Sequence, residues 1–314
     1  MARLDFDAVI PAPLAALCLA AVAGFFAWPG AAATVAPEPA PPFFVDCRGA
    51  PTASPTVILE AGAFGASADW DYVLNSLSAG GRVCAYDRAG IGRSRDRPAR
   101  GVDVISRARQ LGELLDQIHA PGRVILVGHS NGALYAAAFA TLFPGRVAGL
   151  AYINGVGDDD LDDPLLIRAL AGERRMSNLM VTVARFGLAP LVADAMIADQ
   201  RLDGAAAARK HLVLTCHACL EVERDEDRQI IPGLTTVRNL GDVARHIPTA
   251  VIVGDPNPRD RLALAWRAAQ VAPARRADHG WILDAPGASH VSPLAGDGDY
   301  IDAAVGWLRR EAAP

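Results

Sequence analysis

Val127–Ala133 reads VGHSNGA. Four apolar residues, Val124 to Val127, run into it, and LYAAAFATLF, Leu134 to Phe143, leads away. The first run is short and β-branched; the second is small and apolar all round. A buried strand therefore passes into a packed helix within a few residues. Ser130 stands between two glycines at that junction. The glycines permit a sharp, strained turn that lifts the hydroxyl clear of the backbone. The helix beginning behind it points N–H groups at any anion formed there. The same position also suits a serine that only caps the helix.

Similar short runs recur along the chain. They are FFVDC (Phe43–Cys47), TVILEAG (Thr56–Gly62), RVCAYD (Arg82–Asp87), RVILVG (Arg123–Gly128), VAGLAYING (Val147–Gly155), TAVIVGD (Thr249–Asp255) and GWILDAPG (Gly280–Gly287). Helical patterns separate several of them: Ala108, Leu111, Leu115 and Ile118 share one face at helical spacing. Alternating strands and helices predict an α/β fold, a mostly parallel sheet covered on both faces. Sites in such sheets form at the carboxyl ends of the strands, where Ser130 lies. The segment 155–246 breaks the alternation and is too long for a loop. It is expected to be a helical cap, with cores at 43–154 and 247–314. Its acidic opening, DDDLDDP (Asp158–Pro164), reads as a solvated helix start and lacks the ligand spacing of a calcium loop.

The 314 residues are 51% hydrophobic and 21% charged, which excludes a disordered or fibrous chain. A formal net charge of -5 leaves no basic face for nucleic acid. Ala8 to Pro29 carries no charge and is followed by GAAATVAPEPAPP. Residues 1–33 read either as an export signal cleaved near Ala31–Ala33 or as an N-terminal membrane anchor. Residues 34–42 are a linker rich in proline and alanine. The expected location is periplasmic or extracellular, or anchored to the membrane. Cys47, Cys84, Cys216 and Cys219 then permit two disulfides. Cys216 and Cys219 form a local disulfide or stay as buried thiols; His211 and His217 lie near, but no second pair completes a zinc set.

GHSNG matches the G-x-S-x-G nucleophile elbow in its required setting of strand, turn and helix. ILEAGAFGASADW (Ile58–Trp70), RVCAYDRAGIGRS (Arg82–Ser94) and PGASHVSPL (Pro286–Leu294) accompany it in order. From about Phe43 to Ala312 the chain resembles an α/β-hydrolase, above all the exported bacterial serine hydrolases and esterases. The likeness covers the core strands well and the cap hardly at all.

That resemblance implies roles. Ser130 is the nucleophile and His290, after the last strand, the general base. The backbone N–H of Asn131 is one oxyanion donor. The other is Ala63, with Phe64 as a stand-in, because the loop reads AGA where relatives often carry a histidine. His129 is expected to point away from the site. The acid is less regular: Asn257 occupies the usual position, so Asp255 is the first choice, with Asp260 and Asp158 as alternatives. Asn154 holds the place from which other members take the acid. The strands bearing Cys47 and Cys84 become neighbours, which pairs those cysteines. Asp87 is expected to brace its glycine loop, and Arg88 to pair with the buried Glu60. Together these imply cleavage of small or apolar esters through an acyl-enzyme, with no metal or organic cofactor. A serine nucleophile argues against the epoxide hydrolases and dehalogenases of the fold, which use aspartate. Other readings are a cofactor-free perhydrolase or lyase, and a catalytically weak binding protein.

Overall fold

The computed structural model describes residues 41–312 apart from 53, 100, 203, 255–259 and 297–298. The apolar N-terminal segment, nearly all of the linker, Asp255 and Asn257 lie outside the described residues. Seven strands form one sheet: β1 (Val45–Arg48), β2 (Val57–Glu60), β3 (Val83–Tyr86), β4 (Val124–His129), β5 (Val147–Ile153), β6 (Thr249–Gly254) and β7 (Gly280–Ala285). Their spatial order is β1-β3-β2-β4-β5-β6-β7, parallel throughout except for the antiparallel pairing of β1 with β3. Every residue of β2, β3, β4 and β5 is buried, as a parallel sheet covered on both faces requires.

The covering helices are amphipathic or small. Helices α1 (Asp71–Ser78) and α10 (Tyr300–Glu311) bury Val73, Leu74, Leu77, Ile301, Val305 and Leu308 on one face. On the other face lie α2 (Val104–Gln117), α3 (Asn131–Leu142) and α9 (Arg261–Arg276), burying Leu111, Leu114, Phe139 and Val271. Asp103 starts α2 by accepting the Ile105 and Ser106 N–H groups.

Between β5 and β6 the chain forms five helices: α4 (Pro164–Arg185), α5 (Ala189–Asp199), α6 (Gly204–Thr215), α7 (His217–Arg228) and α8 (Ile230–Leu240). The last is not a free lid. Ile230, Leu234 and Val237 of α8 join the core cluster beneath α3, so α8 is anchored to the sheet layer. Among the described residues no helix is long and apolar enough to cross a membrane.

Cys47 lies directly opposite Cys84 across the antiparallel β1–β3 pair, with Cα atoms 4.1 Å apart, and the two form a disulfide. Cys216 and Cys219, at the start of α7, form a second. The first closes 37 residues of sequence. Replacing both Cys47 and Cys84 by serine is expected to lower stability by about 3 kcal/mol, most of it through a less constrained unfolded chain. Urea unfolding of the oxidised protein and the double variant measures it; equal midpoints refute it.

Candidate active site

The turn between β4 and α3 explains its own sequence. Ser130 has φ 52° and ψ −123°, a strained conformation that few residues adopt unaided. Its backbone is pinned on both sides: Ser130 N–H donates to the Ile153 carbonyl (3.0 Å), and Val156 N–H donates to the Ser130 carbonyl (3.1 Å). A Cβ at Gly128 would stand 2.7 Å from the Ala133 backbone, and one at Gly132 only 2.3 Å from the Glu60 carbonyl oxygen. Both glycines are demanded by contact across the turn. Ser130 occupies the N-cap position of α3, yet its hydroxyl makes no capping hydrogen bond. The capping role leaves the side chain unexplained.

Ser130, Ala63 and His290 line one pocket of about 240 Å³, with His129, Phe64, Trp70, Met176, Met196, Val291 and Leu294. Its acidic lining is Asp69, Glu173 and Asp227, and no lysine or arginine contributes. A larger cavity of about 420 Å³, bounded by Tyr152, Asp158 and Arg276, contains neither Ser130 nor His290. The smaller pocket is the one with chemistry.

His290 sits on the loop after β7, and the loop is held through its backbone. His129 Nε2 lies 2.9 Å from the His290 carbonyl, and Asn154 Nδ2 donates to the same oxygen at 3.0 Å. Asn154 Oδ1 accepts the Gly254 N–H at 2.7 Å, so one amide ties the ends of β5 and β6 to the histidine loop. The His129 ring does not turn away from the site: its centroid is 4.7 Å from that of His290. Burial lowers the pKa of His129 to about 3, so the ring is neutral and acts as a brace. The protein packed around His290 also lowers its pKa below the ordinary value, which keeps it available as a base.

The alternative acids are not brought to it. Asp260 accepts the Ala263 N–H at 2.8 Å and caps α9. Asp158 pairs with Arg276 (3.3 Å) and Arg238 (3.8 Å) beside the larger cavity. Among the described residues, no carboxylate hydrogen-bonds or ion-pairs with the His290 ring. Both aspartates satisfy local needs, a helix end and two arginines.

The loop after β2 is equally constrained. Phe64 has φ 54°, and its N–H donates to Glu223 of α7 at 2.8 Å. That bond engages the Phe64 N–H away from the pocket. Asn131 Nδ2 donates to Asp227 at 3.2 Å, so this side chain turns to α7 while the backbone opens α3. Ser177 Oγ also donates to Asp227. Burial and the neighbouring Glu226 raise Asp227 to about 7 and Glu223 to about 8. Asp87 accepts the Ser67 and Arg93 N–H groups, both at 2.8 Å, and braces the glycine loop. Glu60 pairs with Arg88 at 3.1 Å.

A parallel sheet with one antiparallel edge, a strained serine at the end of its central strand and a histidine loop beyond its last strand form one pattern. A family model described as alpha/beta hydrolase fold matches residues 55–186. The chain has the α/β-hydrolase fold. Its similarity to a thermophilic esterase of Thermogutta terrifontis covers 86% of this chain and 94% of that one, at 22% identity and a TM-score of 0.62. Sequence likeness is more local. A protein named carbamate hydrolase RutD, from Variovorax paradoxus, is 38% identical over 105 residues, 33% of this chain and 39% of its own length. A non-heme chloroperoxidase of Streptomyces lividans is 40% identical over 90 residues, 28% of this chain and 32% of its own. The chain thus spans well under half the length of the curated relatives it matches.

Proposed function

We propose that this α/β-hydrolase cleaves small carboxylic esters through an acyl-enzyme on Ser130. One observation carries the reading: a strained serine whose hydroxyl caps nothing shares a pocket with His290 and with the Ala63 loop. His290 takes the Ser130 proton as Oγ attacks the carbonyl. The N–H groups of Ala63 and Asn131 hold the oxyanion. His290 then protonates the leaving alcohol, and water hydrolyses the acyl-enzyme. Asp255 is the carboxylate proposed to orient His290. It follows Gly254, whose N–H is held by the same Asn154 that holds the His290 carbonyl.

The pocket suggests the substrate class. Its volume of about 240 Å³ falls short of the range that encloses drug-sized ligands, so short acyl chains fit best. No lysine or arginine lines the pocket to hold an anionic substrate. Two disulfides support an oxidising compartment, reached with the N-terminal apolar segment as signal or anchor. The proposed partner is a small-molecule ester, with no nucleic acid and with membrane contact through that segment only.

A panel of p-nitrophenyl esters tests the reading, with a phenyl carbamate and a peroxide-dependent halogenation assay alongside. The expected result is kcat/KM for acetate or butyrate about tenfold or more above that for decanoate. Turnover of the carbamate alone, or peroxide-dependent oxidation without ester cleavage, would replace the ester assignment. The similarity to the chloroperoxidase is the reason for the last arm.

A further inference from the structure

The AGAF loop (Ala61–Phe64) is held by side chains that the proposed mechanism does not use. Arg88 follows β3 and is buried, 3% exposed. Its Nη1 donates to the Ala61 carbonyl at 2.6 Å and its Nη2 to the Gly62 carbonyl at 3.1 Å. The Gly62 carbonyl and the Ala63 N–H belong to one trans peptide unit and point in opposite directions across it. Fixing that oxygen on Arg88 therefore aims the Ala63 N–H away from Arg88. Phe64 closes the other end of the loop. Its N–H is taken by Glu223, and its carbonyl accepts from Lys210 Nζ at 2.7 Å.

Arg88 is itself fully committed. Nε donates to Glu226 at 3.0 Å and Nη2 to Glu226 at 2.9 Å, while Nη1 reaches Glu60 at 3.1 Å. With the two loop carbonyls, these contacts occupy all five guanidinium donors. Glu223 stands 3.5 Å from Nη2. Glu60 belongs to the core, whereas Glu223 and Glu226 belong to α7 of the cap. Arg107 also pairs with Glu226, and Lys210 with Asp69 at 2.8 Å, so each buried cation of the cluster has a carboxylate partner.

We infer that Arg88 and Glu223 position the Ala63 N–H of the oxyanion hole, which makes the cap helix α7 a working part of the catalytic apparatus. The inference rests on the serine-hydrolase reading above. Arg88 and Glu223 touch no substrate; they act through the loop. A 2.8 Å bond from a cap carboxylate and two bonds from one guanidinium leave the loop a single orientation.

The test compares wild type with Arg88→Lys, Glu223→Leu and Glu223→Gln in the full chain. Lysine offers three donors on a flexible stem and cannot span both carbonyls and three carboxylates. Glu223→Leu removes the acceptor for Phe64 N–H but leaves Arg88 its contacts with Glu60 and Glu226. It carries the test if Arg88→Lys does not fold. Expected is a fall in kcat for p-nitrophenyl acetate of about 10²-fold for Arg88→Lys or Glu223→Leu, with KM within threefold. Affinity for an alkyl trifluoromethyl ketone, which forms an oxyanion on the serine, should fall by a similar factor. Affinity for the product acid should not. Glu223→Gln keeps an acceptor and should recover most of the activity. Equal loss of ketone and product affinity, or a Glu223→Leu kcat within threefold of wild type, overturns the inference and leaves the hydrolase reading standing. A wild type that neither hydrolyses esters nor labels with a fluorophosphonate overturns both.

Discussion

Ser130→Ala is expected to lower kcat for p-nitrophenyl acetate by a factor on the order of 10⁴ or more while leaving the melting temperature within about two degrees. The asymmetry follows from the turn. What holds the elbow is backbone: Ser130 N–H to Ile153, the Ser130 carbonyl to Val156, and the close approach of Gly132 to Glu60. The hydroxyl caps nothing. Deleting it removes the nucleophile without leaving a polar group unpaired, so the usual cost of a lost buried hydrogen bond does not arise. The strain at φ 52° stays, since alanine inherits the same backbone. Steady-state kinetics and a thermal melt on the same preparation measure both halves. Activity within tenfold of wild type would sink Ser130 as nucleophile.

His290→Ala should cost as much as Ser130→Ala, and the double variant no more than either, because serine and base act as one unit. The loop should survive, since His129 and Asn154 hold the His290 carbonyl and not its ring. The pH profile adds an independent reading. The base works neutral, and the protein packed around its ring lowers its pKa although the residue keeps an exposed surface. Protonation as pH falls removes activity, so the acid limb of kcat/KM should lie below the ordinary histidine value of about 6.5. A limb at or above that value would mean that a carboxylate such as Asp255 raises the His290 pKa more than the surrounding protein lowers it, or that another group governs the rate.

That Ser130, His290 and Ala63 would line one pocket was legible from the elbow motif and from the resemblance that placed the other two. The partners were not. Asn154 stands where other members place an acid, but only the structure shows its amide linking Gly254, 100 residues on, to His290, 136 residues on. Glu223 meets Phe64 across 159 residues. A signal for α7 did exist. In EVERDEDR, Glu223 is followed by Glu226 and Asp227 at i+3 and i+4, which puts three acids on one helical face. Leu220 is on the same helix and fully buried, so that face had to find cations. Which cations was not readable. His129 does not point away as its place on the elbow suggested, because the β7 loop, 161 residues on, is packed against its ring.

Taken alone, the order of residues determined the strands, the helices and the elbow, and the resemblance to a known fold added the cysteine pair. Strand burial, helix periodicity and glycine contacts act over a few residues and leave periodic marks. Only the tertiary structure decided which groups stand behind the chemistry. It engaged Asp260 and Asp158 elsewhere, set Asn154 and His129 under the His290 loop, and placed α7 against the oxyanion loop. The physical reason is that a buried charge must be matched by an opposite one, and the match is made through space, where sequence distance carries no information.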